Sequence, residues 1–461
     1  MSEKSSNFQR LSEKVAFDKE HRQKIKFNIG KYDQAVIKGK QRYANLDLAK
    51  QRAAGIKHKS MAQIDKLLVE FETNFTRNGG KVIWARDSDD ALKEIVKLLD
   101  TRKIKKVVKS KSMTTEEIEL NHHLEKSKIV PIETDLGEFI VQLAGEKPYH
   151  IVTPAMHKSK GDVAKLFNEK FSLEPNSSPE EITAFTRLHL RNHFISAGAG
   201  ITGANFILAD IGGISLTENE GNGLMSMAFP TLHIVIVGIE KIIPSMDDLD
   251  LFLPLLATHG TGQALTVYNS IVTGPTKNGI GPSEMVVILL DNGRTDLLAK
   301  SRQREALGCI RCGACLNVCP IYKNIGGHSY ETTYTGPIGS VITQHLKPIK
   351  DYSHLSFASS LCGSCTEVCP VKIPLHELLL LNRSETVEAE LTSSSDRFLM
   401  KNTTKILNNR RWLDFFGSAN KNRLLRHFVS KHWGKHRALP VIAKKSFSQL
   451  WLEQQEEKKK G

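Results

Sequence analysis

No cysteine occurs in the first 308 of the 461 residues, and none after residue 369. A disulfide framework spread over the chain, as in small secreted domains, is thereby excluded. Long apolar runs are missing too. The strongest, residues 232–243, is interrupted by Glu240 and Lys241 and falls short of the roughly 20 apolar residues that a membrane-spanning helix requires. The opening MSEKSSNFQRLSEK has no apolar core of the signal-peptide kind, so a cytoplasmic location is expected. No helix-turn-helix, zinc-finger or RNA-binding signature is present, and nucleic acid is not expected as a partner. What remains is ordinary globular material. At 40% apolar and 25% charged the chain can build a sizeable core, and its length suggests two or three domains.

Charge is unevenly placed. Residues 1–60 carry 15 Lys/Arg against 6 Asp/Glu, and residues 401–461 carry 15 against 4, so the net +14 leaves the middle of the chain at −6. Basic ends of this kind suit an anionic membrane surface or an acidic partner, or serve only as a solvated surface.

All seven cysteines lie in one stretch. The first group is Cys309, Cys312, Cys315 and Cys319-Pro320; the second is Cys362, Cys365 and Cys369-Pro370. The first spacing, C-x2-C-x2-C-x3-C-P, is that of bacterial two-cluster ferredoxins, in which the last cysteine ligates the other cluster. A structural zinc site gives no reason for a third cysteine two residues on. Aligned on their Cys-Pro ends, the groups match except that Ser359 stands opposite Cys309. One cluster can therefore take Cys309, Cys312, Cys315 and Cys369. The other has only Cys319, Cys362 and Cys365. Three arrangements fit that second set: a three-iron cluster; a four-iron cluster completed by Ser359, water or another non-thiolate ligand; or an open corner filled by a substrate or partner group. Adjacent clusters carry single electrons, so the simplest role is an electron relay.

Hydrophobic periodicity places these motifs. Residues 1–60 read as a basic, helix-prone extension. From residue 61 helices and strands alternate: helix 62–78 ending at Gly79-Gly80, strand 81–85, helix 87–101, strand 104–108, a helix opened by a capping box at Thr114–Glu117, strand 129–134, helix 135–144 and strand 150–154. A helix over 179–196, a hairpin of 205–210 with 214–217, strand 231–238, helix 246–257 and strand 285–290 follow. This pattern predicts an α/β fold with a mainly parallel sheet and flanking helices, joined to a small helical ferredoxin-like module. The expected domains are 1–60, 61–300, 301–385 and a basic, partly helical and partly disordered appendage, 386–461.

Other patterns carry less. Gly198, Gly200 and Gly203 match G-x-G-x-x-G, but the order is helix, glycines, strand, whereas a dinucleotide site needs a strand first. His189 and His193 have the i, i+4 spacing of zinc ligands without an accompanying glutamate. Glu133, Asp135 and Glu138 sit where a strand meets a helix, with Asp135 placed as a cap. Glu218 and Glu220, and His157 with Lys158, lie at strand ends where α/β folds bind ligands.

The segments ETDLGEFIVQLAGEKPYHIVTPAMHK (133–158) and AGAGITGANFILADIGGISLTENEGN (197–222), joined to CIRCGACLNVCP and LCGSCTEVCP, closely resemble the iron–sulfur protein of the bacterial lactate utilization operon. The resemblance, to the lactate utilization protein B family, spans about residues 60–385. It implies a role in oxidising L-lactate to pyruvate with the two other proteins of that operon and an electron acceptor. It also implies two [4Fe-4S] clusters on the seven cysteines, and an α/β lactate-utilization (LUD) domain akin to sugar-phosphate isomerases and CoA transferases. The alternative is a transferase or isomerase using Glu218 or Glu220, with the clusters as a redox switch. An iron–sulfur sensor binding DNA through the basic ends has the least support.

Overall fold

The computed structural model describes residues 2–277, 279, 281–415, 417–433 and 437–460. These fall into two compact units, one up to Ala389 and the other from Glu390.

In the first unit six strands form one parallel sheet, and the apolar runs anticipated above supply most of them. They are β1 (Lys81–Ala85), β2 (Lys106–Lys109), β3 (Val130–Glu133), β4 (Ala199–Thr202), β7 (Leu232–Gly238) and β10 (Glu284–Leu290), ordered β1-β10-β7-β4-β2-β3. β7 is buried along its whole length and β10 after its first residue, because helices cover both faces and leave no polar side. Alternate residues divide between two cores. Ile234, Ile236, Val286 and Ile288 face the helices at Ser88–Thr101 and Leu120–Lys126. Val235, Val237, Val287 and Leu289 join a larger core that continues through Leu316, Tyr322 and Ile338 into the cysteine module.

A second, four-stranded sheet was not anticipated. It comprises β5 (Phe206–Leu208), β6 (Gly213–Glu218), β8 (Ile242–Ile243) and β9 (Tyr268–Val272), in the order β8-β5-β6-β9. The expected hairpin is its centre, with Phe206 opposite Ser215. β8 is too short, and β9 too exposed, to stand out by period.

Local chemistry sets the helix ends. Ile64, Leu67, Leu68, Phe71 and Phe75 form the buried stripe of the helix Ile64–Arg77, and Gly79 follows at φ +95°. Asp87 caps Ser88–Thr101 and Asp135 caps Leu136–Ala144, each accepting a backbone N–H. Three helices, Glu3–Ala16, Lys19–Lys40 and Leu46–Ala62, build the basic N-terminal stretch. Ile25, Ile29, Ala53 and Lys57 are buried in the unit despite the polar sequence around them.

Several expectations are corrected. Residues 150–154 form a turn, not a strand: Tyr149 donates to the Pro154 carbonyl, and His150 Nδ1 accepts from Val152 and Thr153. The expected capping box at Thr114 is replaced by Ser112, which caps Met113–Glu117. That helix ends at Glu117, and Glu119, in the left-handed region, precedes the next helix, Leu120–Lys126. The helix expected over 246–257 starts as a 3-10 turn and runs Leu249–Thr261. The helix Asn222–Ala228 had no sequence signal. The glycine motif is itself strand β4, where a Cβ on Gly200 would lie 1.8 Å from the Ser226 carbonyl oxygen. Glycine is there to let a helix lie against the sheet.

The second unit is a run of helices beginning with Ser394–Leu407 and ending with Phe447–Lys460. Among the described residues no helix is long and apolar enough to cross a membrane.

Candidate metal centre and the adjoining cavity

The two cysteine segments fold alike, fifty residues apart. Arg311 and Leu361 take positive φ, Gly313 and Gly363 follow at φ +78° and +80°, and each leads into a five-residue helix, Ala314–Val318 or Ser364–Val368. The left-handed turn curls each loop so that its thiols converge, and glycine is the residue that adopts it without strain. Cys319 then caps Pro320–Ile325, its Sγ accepting from Tyr322 N–H at 3.5 Å.

The structure brings Cys309, Cys312, Cys315 and Cys369 together in the wall of one small cavity, lined also by Arg311 and by apolar side chains including Ile151, Ile310, Ile338 and Leu375. Cys312 and Cys315 are each near enough to Cys309 and Cys369 for charge on one thiol to perturb the other. Cys319 is in the same relation to Cys362, and Cys365 to both Cys319 and Cys362. Tyr330 lies near Cys319 and Cys315, where the two sets adjoin. Ser359, the unmatched position, is partly buried, and its hydroxyl accepts from Leu361 N–H at 3.1 Å.

Burial pushes the thiols of Cys312, Cys315 and Cys319 up, and those of Cys365 and Cys369 up to about 11. Without a cation these sulfurs hold their protons; a bound metal ion displaces them. Backbone N–H groups of Arg311 and Ile373 point at Cys309 and Cys369 sulfurs, each at 3.4 Å. An all-sulfur donor set, a mostly apolar lining with one cation, Arg311, and N–H groups on sulfur fit an iron–sulfur cluster. Cys362 differs. It is exposed, and the Ser364 hydroxyl and backbone hold its thiol below the usual range.

Beside this cage a buried ionic network joins the sheet to the cysteine module. Arg294 meets Glu117 at 2.8 Å and Glu240 at 2.5 Å, all three almost wholly buried. Tyr334 donates to Glu117 at 2.6 Å, and Arg311 reaches Glu240 at 3.3 Å. Burial opposes the charge on Glu240, but Arg294 and Arg311 outweigh it and hold the carboxyl down to about 2. From the helix Leu46–Ala62, Lys57 donates to the Glu240 carbonyl at 2.6 Å, and burial lowers its ammonium to about 7.

A cavity of about 400 Å³ opens on the other side of the loop, with Cys312 and Arg311 in its wall. Ser110 follows β2, Asp135 follows β3, Asn205 follows β4 and Lys241 follows β7, and all four line it. It thus lies at the carboxyl ends of the parallel strands, where α/β sheets bind ligands. Glu218 and Glu220 are also in its wall. Glu218 is engaged, accepting from Gly223 and Leu224 N–H at 2.7 and 2.8 Å. Glu220 accepts from Leu136 N–H at 3.0 Å, and burial, with Asp135 nearby, pushes its carboxyl up to about 7.

The remaining candidates go elsewhere. His157 and Lys158 both bond Glu146, at 2.6 and 2.7 Å. His189 packs among Phe139, Phe171 and Phe185, and His193 lies against His189. Glu133 pairs with Lys109 at 2.7 Å, and burial raises the Glu138 carboxyl. Sequence reasoning passed over Lys241 and Arg311. Their signals were present: one interrupts the longest apolar run, and the other stands between two cysteines.

Comparison with known proteins matches two parts of the chain. Residues 68–290 match the LUD domain and residues 305–373 a 4Fe-4S dicluster domain. Lactate utilization protein B of Bacillus cytotoxicus is 44% identical over 337 residues, covering 73% of this chain and 71% of that protein. An uncharacterized electron transport protein, YkgF, of Escherichia coli K12 is 42% identical over 354 residues, covering 76% and 74%. A crystal structure of a DUF162 family protein from Deinococcus radiodurans aligns with a TM-score of 0.28 at 13% identity, over 49% of this chain and 98% of that one. An α/β domain with a six-stranded parallel sheet, a dicluster module holding all seven cysteines, and relatives matched over nearly three quarters of the chain place this protein in the lactate utilization protein B family of iron–sulfur proteins.

Proposed function

We propose that the chain is the electron-transfer subunit of a cytoplasmic complex that oxidises L-lactate to pyruvate, working with the two other proteins of a lactate utilization operon and an electron acceptor. The observation that carries this reading is the sorting of seven thiols into a caged set of four and a neighbouring set of three. Cys309, Cys312, Cys315 and Cys369 would hold one [4Fe-4S] cluster; Cys319, Cys362 and Cys365 would hold a second, with a non-thiolate or missing fourth corner. When bound, such clusters supply single-electron carriage.

The chain's own residues exclude water and set charge. Ile151, Ile310 and Ile338 keep the first set dry, Lys57, Lys241 and Arg311 place cations near Cys309, and exposed Cys362 brings the second set to the surface. That surface suits contact with an acceptor, and the basic ends suit contact with an acidic partner or an anionic membrane surface. A transferase or isomerase reading has less support, because Glu218 is tied to two backbone N–H groups.

The test mixes the anaerobic protein with its two operon neighbours and L-lactate and follows visible bleaching. Bleaching that requires all components supports the reading; none in the complete mixture, from clusters that dithionite does reduce, removes it.

A further inference from the structure

The cavity at the carboxyl ends of β2, β3, β4 and β7 shares Lys241, Arg311 and Cys312 with the cysteine set, but carrying electrons does not require a space of this kind. Its volume of about 400 Å³ is in the range of small-molecule pockets. Two cations in its wall have unmet bonding capacity. The Arg311 side chain is 9% exposed; Nη2 meets Glu240, and the guanidinium also bonds Cys309 and lies over the Tyr334 ring, but Nη1 is buried with no partner. Lys241 is 8% exposed, and among the described residues nothing accepts a hydrogen bond from its ammonium. Lys111, in contrast, bonds the Val152 carbonyl at 3.0 Å and faces Asp135 at 3.6 Å. A buried cation nitrogen without a hydrogen-bond partner is costly; an anion in the cavity would give Arg311 Nη1 an acceptor and the Lys241 ammonium a counter-charge. Acidic Glu220 stands in the same wall, able to face a hydroxyl or carbonyl oxygen but repelling a second negative group.

We infer that this cavity binds a small organic acid, its carboxylate held by Lys241 and Arg311 beside the Cys312 loop. The choice of a three-carbon hydroxy or oxo acid as ligand rests on the function proposed above; the existence of an anion site there does not. The competing explanation is that both cations only offset negative charge on the cysteine set, since each lies near Cys309.

Calorimetric titration of the full chain under argon with L-lactate, pyruvate and inorganic phosphate separates these cases. Lactate or pyruvate should bind saturably. Lys241→Met and Lys241→Gln should each weaken binding by about tenfold or more, as loss of a charge-assisted hydrogen bond does, while iron and sulfide content stay at the parent level. Lys241→Arg should retain most of the affinity. A saturating acid should also alter the paramagnetic spectrum of the reduced parent protein and leave that of Lys241→Met unchanged. Absence of saturable binding by either acid overturns the inference, as does binding of phosphate alone. Unchanged acid affinity in both neutral variants overturns it too, and if their reduction potential has moved, the cations serve the clusters. Reducible clusters without acid binding refute the site but leave the carrier reading intact. Acid binding to clusters that no donor reduces does the reverse.

Discussion

Replacing Glu240 with Gln should destabilise the first unit by about 3 kcal/mol. Glu240 is almost wholly buried against Arg294 and Arg311. Its carboxyl falls from an ordinary value near 4.5 to about 2, which corresponds to about 3 kcal/mol of native-state stabilisation at neutral pH. An independent route gives the same size, because removing one partner of a buried ion pair costs about 3–5 kcal/mol. The folded-state value is depressed, so the contribution is complete above about pH 4.5 and fades as pH falls toward 2. The deficit of Glu240→Gln should therefore shrink as pH falls below 4.5. The assay is guanidinium unfolding under argon, followed by far-UV dichroism, in a double-mutant cycle with Arg294→Met. Glu117 remains in that cycle, so the double variant should cost less than the sum of the single ones by about 1–3 kcal/mol. Parent-like unfolding of Glu240→Gln, or strict additivity, would refute the account of the network.

Gly200→Ala should fail to fold or lose more than about 3 kcal/mol, since overpacking alone costs about 1–3 kcal/mol and this Cβ meets a backbone oxygen at 1.8 Å; soluble yield and melting temperature report it. Cys369→Ala should remove the iron of the four-thiol set and leave part of the iron on the other, measured as iron per chain and by paramagnetic resonance. Ending the chain at Ala389 should preserve iron content and melting temperature, because residues from Glu390 onward form a separate unit.

The parallel sheet was legible in the sequence because its inner strands are apolar on both faces, so β7 and β10 stand out as continuous runs. The cysteine loops were legible because ligand spacing is local. Features that depend on distant partners were not. Residues 150–154 have a strand's composition, Ile-Val-Thr, but His150 Nδ1 captures the following N–H groups and folds them into a turn against the Gly313 loop. Ile25 and Ile29 supply a short stripe within a helix rich in lysine, too few to reveal that they reach the core. The glycines of β4 match a nucleotide pattern in the wrong order of elements, and only the fold supplies the packing reason, the Ser226 carbonyl against Gly200. Lys241 and Arg311 read as a break in an apolar run and a spacer between ligands; only the fold places both on one cavity.

The most direct test of the central claim is elemental analysis of anaerobically purified protein for iron, acid-labile sulfide and zinc, with paramagnetic resonance after dithionite. Two clusters require about seven or eight iron atoms and about eight sulfides per chain, a reducible signal and negligible zinc. Stoichiometric zinc with no sulfide, persisting after attempted iron–sulfur reconstitution, would contradict the assignment of all seven cysteines.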